Sequence, residues 1–226
     1  MKLTSRDIQL VKDVALSHAL TRDQIIALGY FTSVTRANTR VRGLLGSGLI
    51  QRITTPFFGQ SIYCAGKKAP QIVGEKIGQL LVRRAESPRF LQHALCVTNV
   101  RLALASRGAT DWRFEQQAST TFADGAKWLE VRPDGLTLTP TGLVAVEVDL
   151  GHVPTTKLLQ KLKSYETFTS SGACQNHWHA QEFSLLFVTN SDARARRIRT
   201  ITRDFATDIV VRTFDALDIP TPGSWS

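Results

Sequence analysis

Two carboxylates stand two residues apart in an otherwise apolar segment near the middle of the chain. The segment runs from Val144 to Leu150, and Glu147 and Asp149 are its charged members. In a strand, alternate side chains point to the same face, so both carboxylates are expected on one face. A strand this apolar is typical of a buried position, where an uncompensated carboxylate is costly. The pattern therefore predicts that positive charge compensates this pair.

Two sources of positive charge fit the spacing. The first is a divalent cation held by oxygen ligands, to which Asp134, at the end of the preceding predicted strand, offers a third oxygen. The second is the next predicted helix, where Lys157, Lys161 and Tyr165 follow at intervals of four along one side. A hard cation on carboxylates beside a lysine is typical of phosphodiester cleavage. The alternative is a buried salt-bridge network between the two carboxylates and the two lysines, without a metal.

The elements that must position these residues follow one another from residue 89 onward. Helix-type and strand-type patterns alternate there, and no internal repeat is visible. The prediction is a helix over 89–107, strands over 112–119, 130–137 and 143–150, a helix over 155–168, a strand over 183–189, a helix over 191–205 and a strand over 208–214. This order predicts an α/β (α+β) fold in which helices flank a mixed sheet.

The first third of the chain has a different character. Of a net charge of +9 over 226 residues, most lies in residues 1–70, which hold ten basic and three acidic side chains. Three successive helices have candidate capping residues at their starts: Thr4 or Ser5 for the first, Thr21 for the second, and Thr32 or Ser33 for the third. Two strand-like stretches, 49–53 and 61–64, follow around a loop that contains Pro56. Helix, helix, helix, hairpin is the order of a winged helix-turn-helix, predicted over residues 1–66.

The third of these helices has a polar and basic face. The residues left over after its apolar side is packed are Arg36, Asn38, Thr39, Arg40 and Arg42. A helix of this kind fits the major groove of double-stranded DNA, and Arg52 in the hairpin is placed to reach backbone phosphate. Double-stranded DNA is therefore the expected partner. The alternative is a winged helix that binds protein and carries a solvated basic face.

Several short motifs together resemble a known family. They are His93-Ala-Leu95, Trp112 with Glu115, Arg132-Pro-Asp134-Gly135, Glu147-Val-Asp149-Leu-Gly151, and the helix with Lys157, Lys161 and Tyr165. In these the chain resembles the replication-relaxation family and the related MobC-type plasmid relaxases. Those proteins pair an N-terminal winged helix with a nuclease-like domain of the PD-(D/E)XK, or restriction-endonuclease-like, class.

The resemblance implies roles for individual residues. Asp134, Glu147 and Asp149 would hold Mg²⁺ or Mn²⁺, and Glu115 would be an auxiliary acid. The general motif ends in Glu-X-Lys, but Asp149 occupies the place of the lysine. The amine would then come from the next helix, with Lys157 the first candidate and Lys161 the second. The implied function is metal-dependent DNA nicking or cleavage by a plasmid replication or transfer protein. The alternative is a DNA-binding regulator or accessory protein whose nuclease-like domain is inactive.

Two further patterns leave alternatives open. Cys174, His177 and His179 are zinc-type ligands within six residues, or else belong to a polar loop anchored by Trp178. The two histidines, with Tyr165 as nucleophile, also fit a tyrosine-dependent nickase, although the order of elements favours the carboxylate nuclease. Five arginines crowd the helix predicted over 191–205, namely Arg194, Arg196, Arg197, Arg199 and Arg203. They form either a second surface for phosphates or a solvated face.

The remaining expectations concern organisation and location. A linker helix is predicted over 67–88, followed by the nuclease-like domain over 89–226. The sequence contains no run of about 18 apolar residues, so no membrane span is predicted. A polar start without a signal-type apolar core, together with three scattered cysteines, favours the cytoplasm. A homodimer is compatible with the sequence.

Overall fold

The computed structural model describes residues 2–55, 58–74 and 87–220. These residues form two compact units, one up to Leu102 and the other from Ala103 onward. The sequence places the start of the second domain at residue 89, whereas the division between the compact units falls within the long helix. Pro56 of the predicted hairpin loop and residues 75–86 of the predicted linker helix lie outside the described residues.

The first unit has the element order of a winged helix. Its elements are α1 (Ser5–Leu16), β1 (Leu20–Thr21), α2 (Arg22–Ala27), α3 (Val34–Gly46), β2 (Ile50–Ile53), β3 (Ile62–Ala65), α4 (Pro70–Val73) and most of α5 (Pro88–Ala105). The strands form an antiparallel sheet in the order β1-β3-β2. The two-residue strand β1 was not predicted, since so short a segment shows no alternation of polar and apolar residues.

Side-chain caps set the starts of the first three helices. The Thr4 hydroxyl accepts from the Asp7 amide, the Thr21 hydroxyl from the Gln24 amide, and the Ser33 hydroxyl from the Arg36 amide. These contacts satisfy amides that have no partner inside the helix. The predicted helix starts are thereby confirmed.

Polar contacts fasten α5 to the rest of the first unit. The Gln24 side-chain amide donates to the Leu95 carbonyl at 2.9 Å and to Asn99 Oδ1 at 2.7 Å. The Arg101 guanidinium contacts the buried Asp13 carboxylate at 3.2 Å. These contacts accompany a small apolar cluster that includes Leu91 and Leu95. The part of α5 up to Leu102 thus belongs to the first unit by its packing.

The second unit is built on a mixed sheet of five strands. Its elements are β4 (Thr110–Phe114), α6 (Glu115–Ala118), β5 (Thr120–Asp124), β6 (Lys127–Val131), β7 (Gly135–Thr139), β8 (Gly142–Asp149), α7 (Thr155–Ser170), α8 (Ala173–Trp178), β9 (Ser184–Thr189), α9 (Asp192–Thr202) and β10 (Ile209–Thr213). The strand order is β10-β9-β8-β7-β4, with β8, β9 and β10 parallel and β7 antiparallel to both neighbours. The predicted mixed α+β fold is confirmed.

Three local predictions in this unit were wrong. The strand predicted over 112–119 ends at Phe114, because the Gln117 side chain accepts from the Phe114 amide at 3.0 Å and starts a helical turn. The strand predicted over 130–137 is two strands: β6 pairs with β5 in a separate hairpin, and β7 begins after Pro133, which lacks an amide to donate. The loop expected around Cys174 is helix α8.

An aromatic core holds the helices against the sheet. Phe168 and Trp178 pack with ring centroids 4.7 Å apart, and Trp178 and Phe183 with centroids 4.9 Å apart. The Trp178 indole donates to the Ala118 carbonyl at 2.9 Å, so its polar atom is satisfied although the side chain is buried. Trp178 is therefore the anchor that the sequence predicts, although it lies in a helix.

No helix among the described residues is both long and apolar enough to cross a bilayer.

Candidate functional site

Glu147 lies at the centre of the site, on strand β8 between β7 and β9. The residue is 4% exposed. The Tyr165 hydroxyl donates to Glu147 Oε1 at 2.5 Å, and the Lys161 ammonium donates to Oε2. Lys161 and Tyr165 are one turn apart on α7, so the helix presents both donors to the same carboxylate. Each oxygen of this buried group therefore has a donor.

The charges of the site shift the proton affinities of its members. Burial raises the pKa of Glu147 to about 7, which the Lys161 charge opposes and the nearby Asp134 charge reinforces. Burial alone would lower the pKa of Lys161, but the Glu147 and Asp134 charges outweigh it and raise that pKa. Burial and the Glu147 charge also raise the pKa of Tyr165 well above its usual range. Lys161 therefore stays charged, while Glu147 exchanges its proton near neutral pH.

Asp134 precedes β7 and is fastened to β8. Its amide donates to the Val146 carbonyl at 2.9 Å, and its Oδ2 accepts from the Val148 amide at 2.7 Å. The following residue, Gly135, leaves room for the ring of Trp112, with which a Cβ at that position would overlap. The Asp-Gly pair thus places a carboxylate beside Glu147, and the glycine serves packing.

Asp149 has a separate set of partners. The residue is 4% exposed, and its Oδ2 accepts from Arg194 Nε at 2.9 Å and from Arg194 Nη2 at 2.6 Å. Oδ1 accepts from the Gly151 amide at 2.6 Å. Glu147 and Asp149 are both buried, as the sequence predicts, but α7 neutralises the first and α9 the second. Of the salt-bridge network proposed as the alternative, the Glu147–Lys161 pair is present, whereas Asp149 pairs with Arg194 and with neither lysine.

The remaining predicted residues of the site are placed less centrally. Lys157, the first lysine candidate, is exposed and forms no ion pair with the described residues. Glu115 lies in α6, forms an ion pair with Arg132, and contributes to the raised pKa of Lys161. The structure thus brings Lys161, the second candidate, to Glu147 in place of Lys157.

Two of the predicted carboxylate ligands, Asp134 and Glu147, remain candidates to hold a hard cation. Within the part of the chain that the structure describes, no three His, Cys, Asp or Glu side chains form a group that could hold a metal ion. Asp134 and Glu147 influence each other electrostatically, whereas Asp149 is bound to Arg194. Mg²⁺ is commonly held by one or two carboxylates and completes its shell with water, so Asp134 and Glu147 are the residues that could hold such an ion.

The zinc and tyrosine-nickase interpretations gain no geometric support. Cys174 is fully buried, and burial raises the pKa of its thiol to about 11. His177 and His179 are exposed, and His177 Nδ1 lies 3.0 Å from the Thr120 hydroxyl. Tyr165 is buried, with its hydroxyl engaged by Glu147. The cysteine and the two histidines therefore face different surroundings.

The predicted DNA-contacting face of α3 is largely exposed. The exposed members are Arg36, Asn38, Thr39 and Arg42, together with Arg52 on β2. Arg40 differs, because its Nε donates to Asp7 Oδ1 at 2.6 Å and its Nη2 donates to Asp7 Oδ2 and to the Lys2 carbonyl. The Arg40 hydrogen bonds lower the pKa of the buried Asp7 to about 2. Arg40 thus joins α3 to α1.

Sequence reasoning missed two ion pairs between separate elements, Asp7 with Arg40 and Asp149 with Arg194. Asp7 was given no role in the sequence analysis, and its partner Arg40 lies 33 positions away along the chain. Arg194 was one of five arginines in one helix, and it reaches Asp149 across 45 positions. Neither pairing leaves a local signal, since both depend on how separate elements pack.

Comparison with known proteins identifies the family. The structure is similar to protein VC1899 from Vibrio cholerae, with a TM-score of 0.38 and 12% sequence identity, over 96% of this chain and 55% of that one. The chain thus spans about half the length of VC1899. No curated protein matches the sequence. The sequence profile of the replication-relaxation family matches residues 12–181. That match extends over most of the chain, so the protein belongs to the replication-relaxation family.

Proposed function

We propose that the protein binds double-stranded DNA through α3 and β2. We propose further that it nicks DNA with a divalent cation held by Asp134 and Glu147, and with Lys161 beside that cation. The observation that carries the proposal is the contact of the Lys161 ammonium with the buried Glu147 carboxylate beside Asp134. A strongly shifted pKa next to a specific charged partner is more common at reactive sites than elsewhere.

DNA binding is supported by the exposed face of α3. Arg36 and Arg42 extend from the exposed side of a helix that follows α2 in helix-turn-helix order. No carboxylate among the described residues pairs with either arginine, so both remain available for phosphates or guanine edges. Arg40 is excluded from this role by its ion pair with Asp7.

The cation would be held by Asp134 and Glu147, whose oxygens suit Mg²⁺ or Mn²⁺. When bound, such an ion supplies a Lewis acid for a phosphoryl oxygen and lowers the pKa of a bound water. Asp134 is oriented by the Val148 amide, and Glu147 by Tyr165, so both carboxylates are held before any ligand arrives. Preorganised groups of this kind need no rearrangement during the reaction.

Lys161 would stabilise negative charge on the scissile phosphate. Its side chain is 34% exposed, so Lys161 contacts the buried Glu147 while part of its side chain reaches the surface of the unit. The raised pKa of Lys161 keeps the amine protonated at neutral pH, which suits an electrostatic role better than that of a base. Lys161 would thus supply the amine that the Glu-X-Lys motif lacks here.

A second candidate function is DNA binding without cleavage, as a regulator or accessory protein. The observation that favours it is the ion pair of Asp149 with Arg194. This pair neutralises the residue at the motif's lysine position inside the protein, as a purely structural network would. The two candidates differ in one measurable property, metal-dependent nicking.

Nicking of supercoiled plasmid, with Mn²⁺ or with EDTA, tests the proposal. We expect Mn²⁺-dependent open circles from the wild type, and a loss of at least about 100-fold in Glu147→Gln and in Lys161→Met, since removing one preorganised charge stabiliser typically costs that much. The matched control is Glu130→Gln, which neutralises an exposed carboxylate on β6. Duplex affinity should be unchanged in all three variants.

Two outcomes would contradict the cleavage proposal. Nicking by Glu147→Gln at the wild-type rate would show that the site is not responsible. Duplex binding by the wild type without Mn²⁺-dependent nicking would establish the second candidate function instead.

The DNA face of α3 is tested separately by fluorescence anisotropy with a labelled duplex. Arg42→Gln should weaken binding and lower the slope of log affinity against log salt by about 1, the effect of one lost phosphate contact. Arg113→Gln, whose arginine is already paired with Asp111, is the control and should leave the slope unchanged. Equal slopes in Arg42→Gln and the wild type would remove α3 from the DNA interface.

A further inference from the structure

Helix α9 carries two sets of arginines with different surroundings. Arg194 and Arg197 contact the end of β8 and the start of α7: Arg194 binds Asp149, and Arg197 Nη2 donates to the Thr155 hydroxyl at 2.6 Å. The other three, Arg196, Arg199 and Arg203, are exposed. Their spacing of three and four residues places them along one side of the helix. The first set has a structural role, and the second set has none of these contacts.

Edge strand β10 adds a fourth guanidinium to the exposed set. Arg199 Nη2 donates to the Val211 carbonyl at 3.0 Å, and Arg212 Nη1 donates to the same oxygen at 3.3 Å. Two positive side chains therefore converge on one neutral acceptor. We name Arg196, Arg199, Arg203 and Arg212 the outer arginine patch.

Carboxylates do not neutralise this patch. Within residues 87–220, none forms an ion pair with its four arginines, although Asp192 and Asp204 flank the helix. Three other arginines with exposed side chains in the same unit are paired with carboxylates: Arg107 with Asp218, Arg113 with Asp111, and Arg132 with Glu115. The patch is thus a concentration of uncompensated positive charge, which repels itself unless an anion binds.

We propose that the outer arginine patch binds the phosphate backbone of DNA as a second contact surface, separate from α3. Guanidinium groups match phosphate oxygens in geometry as well as charge. The seven-position step from Arg196 to Arg203, the C-cap of α9, covers about 10 Å of helix length, while duplex DNA carries one charge per about 1.7 Å of its axis. The patch therefore spans several phosphates at once. This inference does not depend on strand cleavage.

The test uses the full chain, a labelled duplex of generic sequence, and salt between about 50 and 200 mM. In the double variant Arg199→Gln/Arg212→Gln, we expect the slope of log affinity against log salt to fall by about 2, and affinity at the lower salt to fall about tenfold or more. The matched control, Arg107→Gln/Arg113→Gln, removes the same charge from arginines already paired with carboxylates. The control should retain the wild-type slope.

Further arms separate this proposal from its rivals. In an Arg42→Gln background, the patch variant should still lower the slope by about 2, since the two surfaces are distinct. An equal loss in patch and control variants would overturn the proposal by showing a general effect of net charge. An unchanged DNA slope, combined with lost binding to vesicles of phosphatidylserine and phosphatidylcholine, would overturn it in favour of a lipid surface. Retention of the slope change in Glu147→Gln would show that the patch acts independently of the nicking site.

Discussion

Asp7 in the first unit and Glu147 in the second are both buried carboxylates bound to a cation and a hydroxyl, yet their pKa values shift in opposite directions. Hydrogen bonds from Arg40 lower the pKa of Asp7 to about 2, and burial raises the pKa of Glu147 to about 7. Asp7 is thus permanently ionised at neutral pH, whereas Glu147 is poised to gain or lose a proton.

The difference lies in the donors and the neighbouring charges. Asp7 receives two guanidinium N–H groups and the Thr4 amide, at 2.7 Å, and these donors outweigh the cost of burial. Glu147 receives one ammonium and one phenol, and the Asp134 charge works against its ionisation. The pKa of a carboxylate falls where its donors outweigh the cost of burial, and it rises where burial and a neighbouring negative charge outweigh the donors. This contrast teaches why one carboxylate joins two helices and the other is the centre of the candidate site.

Opposite pH dependence is the largest expected effect. Between pH 4.5 and about 7 the folded second unit holds the Glu147 proton and the unfolded chain has lost it, so the free energy of unfolding should fall by about 3 kcal/mol as pH rises. For Asp7 the sign reverses: about 2 kcal/mol should be lost as pH falls from 3.8 towards 2.

Carboxyl ¹³C NMR titration in EDTA measures both groups directly, and urea unfolding at each pH measures the energies. Glu147→Gln should remove the loss of stability towards neutral pH, and Asp7→Asn should remove the loss in acid. If the Asp7 and Glu147 carboxyl groups titrated at the same pH, the opposite pKa shifts proposed for them would be wrong.

Arg40→Met removes the guanidinium group that binds Asp7. It should lower the unfolding free energy of the first unit by about 2 to 3 kcal/mol, because an ionised buried carboxylate is left with fewer donors. Arg42→Met, on the exposed side of the same helix, is the matched control and should stay within about 0.5 kcal/mol. Urea unfolding followed by circular dichroism checks both. Equal stability of the two variants would mean that the Asp7 pair does not anchor α1 to α3.

A smaller loss is expected from Tyr165→Phe, which keeps the buried ring and removes one donor from Glu147. The expected cost is about 1 to 2 kcal/mol of unfolding free energy. Tyr63→Phe is the control: this tyrosine is also buried, and its hydroxyl forms no hydrogen bond with the described residues. Thermal unfolding of both variants provides the measurement, and an equal shift would show that the Tyr165 hydroxyl adds nothing to the site.

Much of the fold was predictable from local signals. Thr4, Thr21 and Ser33 set helix starts because a cap acts on amides two or three residues away. Boundaries failed where side chains acted against periodicity: Gln117 ended β4 early, and Pro133 separated β6 from β7. The hairpin of β5 and β6 was also missed. Its two strands pair only with each other, in a separate two-stranded sheet.

The burial of Glu147 and Asp149 was predictable from the sequence, but their partners were not. The two-residue period of a strand predicts that Glu147 and Asp149 share one face of β8, and helical spacing predicts that Lys161 lies one turn from Tyr165. The sequence alone sufficed for both predictions. Which cation meets which carboxylate was decided by tertiary packing, which gave Glu147 to Lys161, Asp149 to Arg194 and Asp7 to Arg40. Hydrogen bonds between elements depend on positions in space a few ångströms apart, and the order of residues along the chain does not encode those distances directly.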